Sequence, residues 1–329
     1  MTRLRYPGMS TLLCMPLVLQ GCVAASSTGT ASKPLLTAQE AVAYTAENYF
    51  AHGGQVHDLQ GAWQPQPIVP DNNTPWRVAT SGAPYNDIQQ AIDAAIAQHQ
   101  GSERLYIRID PGVYTGTVYI PDNAPPITLF GTGKQPQDVR IEFALDSQFS
   151  PATYRKTVSA DRYPPGSPAY YQYALCAGKT SALIGTNCAA VLWAQCQDLQ
   201  LYNLTIANSL LDTVDGGTHQ GVALRTDGDR IQLQHVRLLG RQDTLYLNVS
   251  DRHNEALTDR INRVLMQDSY VEGDVDYVFG RANVVFDRVH FHTVSSRRSP
   301  EAYVLAPNTL PDNPYGFLVT NSRFTTDDG

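Results

Sequence analysis

Five segments of the chain repeat one pattern of apolar and polar positions: LQLYNLTI from Leu199, IQLQHVRL from Ile231, VLMQDSYV from Val264, VVFDRVHF from Val284 and FLVTNSRF from Phe317. Each is apolar at its first, third and eighth positions, mostly polar at the fourth and fifth, and small or apolar at the sixth. Alternation at a period of two marks strands with one buried face. The segments begin 32, 33, 20 and 33 residues apart, separated by Asn, Asp and Gly turns. No amphipathic helix intervenes, so a βαβ sheet fits poorly. Stacked coils fit well. The pattern predicts an all-β parallel β-helix, each strand about 4.8 Å from its counterpart in the next coil. An antiparallel sandwich would need more hairpin signals than the few N-G and D-G turns present.

Upstream the period changes. TAQEAVAYTAENYF opens with Thr37 and Glu40 at capping-box spacing and predicts a helix. NDIQQAIDAAIAQ puts Ile88, Ala91, Ile92, Ala95 and Ile96 on one face and predicts a second. A Pro-rich linker, WQPQPIVPDNNTP, lies between them, and beyond Gln100 no further helix is expected. Residues 147–177, rich in Tyr and Pro, and residues 248–262, polar and charged, break the coil period. Insertions in a solenoid project from one face, often the binding face.

The start of the chain reads as a targeting segment. Arg3 and Arg5 precede the apolar run MSTLLCMPLVLQ, which ends at Gly21-Cys22. This is the layout of a secretory signal, and the run is too short to span a bilayer. LQGC at 19–22 resembles a bacterial lipobox, with Cys22 as the lipidated mature N-terminus; an ordinary signal peptide with a chance Cys is the alternative. Val23 leaves no Asp retention signal, so an outer-membrane lipoprotein is expected. The expected plan is a signal over 1–21, a flexible tether over 22–36, a helix and linker over 37–75, and a β-helix domain over 76–329.

Composition narrows the class. Of the 329 residues 42% are hydrophobic and 17% charged, enough apolar surface for a large core. A net charge of -7 argues against a nucleic-acid binder, which needs a basic patch. Once Cys14 leaves with the signal and Cys22 takes lipid, Cys176, Cys188 and Cys196 remain. An oxidising compartment allows one disulfide among three pairings. Cys176–Cys188 is favoured because Cys196 sits in a strand-like run. The spacing is not a zinc pattern. No oligomer signal is present, and a monomer is expected.

The repeat also brings polar residues into register. Asp243 follows Ile231 by 12 residues, and Asp276 follows Val264 by 12. In stacked coils the two aspartates sit at one point of the cross-section, about 5 Å apart at the backbone. Gln220 in HQGVAL falls near the register of Gln242, and Ser296 is expected in the aspartates' column one coil further on. Two carboxylates that close cannot both ionise comfortably, which leaves one acid able to give a proton and one anion able to attack. Glutamine amides beside them can donate to a developing oxyanion. The arrangement suits acyl transfer or glycoside hydrolysis. Either aspartate alone would more simply be a turn or ladder residue.

At this point the chain resembles the pectin methylesterase (pectinesterase) family of carbohydrate esterases, from about Tyr85 to the end. YNDIQQAIDAA and YIRIDPGVY resemble the family's opening helix and first coil. HQGVAL resembles its QAVAL motif, GRQDTLYL its GYQDTL motif and VDYVFGRA its DFIFGNA motif, in the family's order. The resemblance implies a right-handed parallel β-helix. It implies Asp276 as nucleophile, Asp243 as acid and then base, Gln242 as oxyanion donor, Gln220 assisting, and Thr186 near a substrate-binding position. It implies no metal and no cofactor. There are departures. The family's LGRPW motif, with an arginine that orients the nucleophile, is absent from these residues; either the fold continues beyond Gly329, the favoured expectation, or the enzyme lacks that arginine. Arg241 stands where the family has an aromatic residue and Arg281 where it has Asn, which puts both at the substrate. The tethered form resembles a lipoprotein branch sometimes labelled acyl-CoA thioester hydrolase.

Three functions follow as expectations: a carboxylic ester hydrolase on a methyl-esterified polyuronide or related glycan, an acyl thioesterase on the same site, or a non-catalytic carbohydrate-binding envelope protein. Pectate lyases and polygalacturonases share the expected fold, but no GHG or RIK segment is present.

Overall fold

The computed structural model describes residues 36–55, 58–59, 61–298 and 301–327. The expected signal and Cys22 lie outside the described residues, as does the expected tether except for Leu36. Residues up to Val42 form one unit and those from Ala43 onward another.

The first unit holds the helix Ala38–Ala41, whose capping box is formed: Thr37 Oγ1 accepts from the Glu40 N–H at 3.2 Å and the Glu40 carboxylate from the Thr37 N–H at 2.8 Å. The single helix expected here is not continuous. A separate helix, Ala46–Ala51, starts at Thr45, whose hydroxyl accepts from the Asn48 N–H and so makes a new N-terminus. The helix Ile88–Gln98 begins at Asp87, whose carboxylate accepts from the Gln90 N–H. It buries Ile88, Ala91, Ile92 and Ala95 in the main core, with Ile96 packed alongside.

That core is the interior of a parallel β-helix. The repeated segments pair as Gln200 with Gln232, Ile231 with Val264, Val264 with Val284 and Val284 with Phe317. First, third, sixth and eighth positions point inward: Ile231, Leu233, Val236 and Leu238 are at most 1% exposed. Strict alternation would make the fifth position inward and the sixth outward. The backbone explains the slip. The fifth residue is left-handed in all five coils: Asn203 (φ 54°), His235 (φ 53°), Asp268 (φ 48°), Arg288 (φ 55°) and Asn321 (φ 50°). Each bends its strand and turns the apolar side of both arms to one interior.

A six-stranded sheet closes the coils, in the order Val118–Ile120, Ala190–Ala194, Val222–Thr226, Leu245–Leu247, Val278–Gly280 and Leu305–Pro307. Gly280 (φ 121°) ends one of these strands; a Cβ there would meet the Leu247 carbonyl oxygen at 2.0 Å. Only glycine allows that approach.

Residues 147–177 hold two helices, Pro151–Thr157 and Tyr170–Ala177, where none was expected. Seven and eight residues are too short to show a period, although Ser150 and Pro151 form a readable start. The tyrosines there are a core: Tyr154, Tyr163 and Tyr173 pack with Tyr119 and Trp193 of the coils. The Cys176–Cys188 disulfide ties the second helix to the coil before Ala190, and Cys196 is buried and free.

Candidate active site

Asp243 and Asp276 are reached by the same path in successive coils. Each is left-handed (φ 68° and φ 48°) and stands two residues ahead of a strand of the six-stranded sheet. Asp is among the few non-glycine types that enter this conformation readily. Leu245 pairs with Val278, and the Asp243 N–H donates to the Val275 carbonyl at 3.0 Å. The aspartates therefore stack one coil apart, about 4.8 Å along the axis. Asp243 is 4% exposed, and Asp276 is half-buried. Burial, then the charges of Asp276 and Asp274, push the Asp243 carboxyl up to about 8, against a smaller opposing pull from the Gln220 amide.

Ser296 is not the next member of this column. Tyr303 is: its carbonyl accepts from the Tyr277 N–H, and Val278 pairs with Leu305. The residues that follow the strand His290–Thr293 carry Ser296 away to the Asp212 carboxylate. The column of carboxylates still ends at Asp276.

Gln220 and Gln242 bridge as neighbours on adjacent coils. The His219 N–H donates to Gln242 Oε1 at 3.2 Å. A backbone N–H can only donate, so this contact orients the amide and leaves Nε2 as a donor without a partner among the described residues. Ser147 holds the Gln220 backbone from both sides, its hydroxyl accepting at 3.3 Å and its N–H donating at 3.0 Å. The Ser147 carbonyl also accepts from Gly185, next to Thr186. Thr186 is half-buried and opens the 3₁₀ turn leading into Ala190–Ala194, one coil before Gln220.

The two arginines differ. Arg241 gives Nε and Nη2 to Asp212 at 2.8 and 2.7 Å and Nη1 to Glu272 at 3.1 Å, so protein carboxylates fill its fork. Arg281 bonds the Leu247 carbonyl through its backbone N–H, and its Nε is buried with no partner among the described residues.

A pectinesterase family profile matches residues 175–329. Pectinesterase B of Dickeya dadantii is 51% identical over 345 residues, an alignment covering 100% of this chain and 80% of that protein. The chain belongs to the pectinesterase family. Its fold agrees: the crystal structure of Escherichia coli YbhC superposes with a TM-score of 0.87 at 45% identity, over 94% of this chain and 78% of that one. Rice weevil pectin methyl esterase superposes at 0.79 with 35% identity, over 92% and 75%. As a pectinesterase the chain is a carboxylic ester hydrolase.

A column of side chains beside the aspartates of this pectinesterase escaped sequence reasoning. Tyr119, Trp193, Arg225, Tyr246 and Phe279 form one register column on the outer face of the six-stranded sheet. Tyr246 and Phe279, each three residues past an aspartate, stack at 4.1 Å and 11°. Arg225 is fully buried between rings, 4.5 Å from Trp193 and 5.2 Å from Tyr246, and ion-paired to Asp227 at 2.9 Å. Ser250 and Asn254 accept from it, and Asn248 and Asn262 donate to Asp227, which is why residues 248–262 are polar. The signal was present: period two places Tyr246 and Phe279 outward, and an arginine inside VALRT is out of place in an apolar strand.

Proposed function

We propose that the chain demethylates a methyl-esterified polyuronide such as pectin, with Asp276 as nucleophile and Asp243 as acid and base. The observation that carries this is the stacked aspartate pair, in which burial and a second carboxylate keep Asp243 protonated near neutral pH. The Asp276 carboxylate attacks the ester carbonyl carbon. Gln242 Nε2 donates to the oxyanion, with the Gln220 amide beside it. The acyl–oxygen bond breaks and Asp243 protonates the leaving methoxy oxygen, releasing methanol. Asp243, now a carboxylate, takes a proton from water as its oxygen attacks the acyl carbon, and Asp276 leaves. One ester and one water become one acid and one methanol. Thr186, one coil before Gln220, and Arg281, just past the strand that follows Asp276, are the further residues proposed to meet the polymer. Arg241 would act on substrate through the Asp212 loop that it holds.

Methanol release from methylated pectin tests the reading. Asp276→Ala should lower it on the order of a thousandfold or more; release equal to wild type would end the proposal. Acyl-CoA hydrolysis lost in Asp243→Asn, without methanol release, would assign the site to thioesters. Glycan binding without turnover would make the chain a binding protein.

We further infer that Cys22 carries lipid and holds the protein at the outer membrane as a monomer. LQGC and the Val23 that follows it support the lipid and its destination. Fatty-acid labelling that persists in Cys22→Ala would refute it.

A further inference from the structure

Asp274 and Asp276 flank Val275, whose carbonyl accepts the Asp243 N–H, so both carboxylates stand on the coil stacked against the acid. Asp274 is fully buried. Its Oδ2 accepts from Arg297 Nε at 2.9 Å and lies 2.9 Å from Nη2 in an ion pair without a hydrogen bond, and its Oδ1 accepts from the Val275 N–H at 2.7 Å. The Arg297 side chain is only 2% exposed. It comes from the segment that follows the strand His290–Thr293, and its Nη1 also donates to the Asp215 carbonyl at 3.2 Å. A buried ion pair adds little net stability compared with well-packed apolar residues. Its position beside the acid calls for another reason.

We propose that Asp274 and Arg297 are a positioning pair that sets how readily Asp243 holds its proton, Asp274 supplying a neighbouring negative charge and Arg297 offsetting part of it. The proposal rests on the reading of Asp243 as the acid. The groups that act on the Asp243 carboxyl are Asp276 and Asp274 from the coil above and the Gln220 amide from the coil below, with the Tyr246 phenol on its own coil. Arg297 stands behind Asp274, bound to it. Removing the Asp274 charge eases ionisation of Asp243; removing the Arg297 charge leaves Asp274 unopposed and hinders it. The two halves of one ion pair should therefore push in opposite directions.

The test is the pH profile of kcat for methyl-ester hydrolysis by the full-length protein. The alkaline limb reports loss of the proton that Asp243 donates. Asp274→Asn should move that limb to lower pH by about one unit, and Arg297→Gln should move it to higher pH. The double variant leaves no buried charge unpaired and should move it down by less than Asp274→Asn alone. A merely structural pair would lower the melting temperature of both single variants and leave the limb in place. That result, or shifts of the same sign, overturns the proposal. If a single variant does not fold, the double variant decides, and an unmoved limb overturns it. Full activity in Asp243→Asn would instead remove the acid assignment itself.

Discussion

In the proposed mechanism Asp243 is the acid, and the burial that keeps it protonated acts against stability as pH rises. Its carboxyl stands at about 8 against an ordinary 3.8, chiefly through burial. A raised acid binds its proton more tightly in the folded state, so its contribution is complete below 3.8 and is lost as pH rises toward 8. Asp243→Asn removes that titration. Its melting temperature relative to wild type should climb between about pH 4 and pH 8 and then level off, whereas a constant difference across that range would contradict the burial argument. The same variant should lose about 10²- to 10⁴-fold in methanol release, the usual range for a general acid. The pairing of Asp243 with Asp276 was legible as equal offsets from two strand starts. That one of the pair would hold a proton was legible too, but not the weight of burial or the part of Asp274, which depend on how the coils close around Asp243.

At the scale of elements, the left-handed fifth position is what turns a strand pattern into a coil. Asn203, Asp268, Asn321 and His235 are types that accept this backbone, whereas Arg288 bears more of its strain. His235→Val should cost about 1–2 kcal/mol because a β-branched side chain clashes in this conformation, while His235→Gly should be near neutral. Urea denaturation compares them, and equal midpoints would refute the bend's role. The repeats of two polar residues at the fourth and fifth positions displayed this bend in the sequence. The insertion helices were hidden for a different reason. Pro151–Thr157 and Tyr170–Ala177 are too short for periodicity, and packing on Tyr119 and Trp193 stabilises them rather than propensity.

At the scale of the molecule, Arg225 joins parts of the chain that lie far apart in sequence. It touches Trp193 and Tyr246, donates to the Asn187 carbonyl and binds Ser250 and Asn254. Arg225→Gln leaves Asp227 buried without its cation and should destabilise the fold by about 3–5 kcal/mol. Calorimetry showing an unchanged melting temperature would exclude that role. The sequence by itself determined the coil period, the strand register, the aspartate pair and the kinship of three motifs, because each is a local pattern repeated at a spacing that stacking imposes. Only the tertiary structure decided that Arg241 is held by Asp212 and Glu272, that Tyr303 rather than Ser296 follows Asp276, and that Asp274 and Arg297 meet behind Asp243. Those outcomes depend on loop length and on which side chains burial forces together, and no single stretch of sequence contains either.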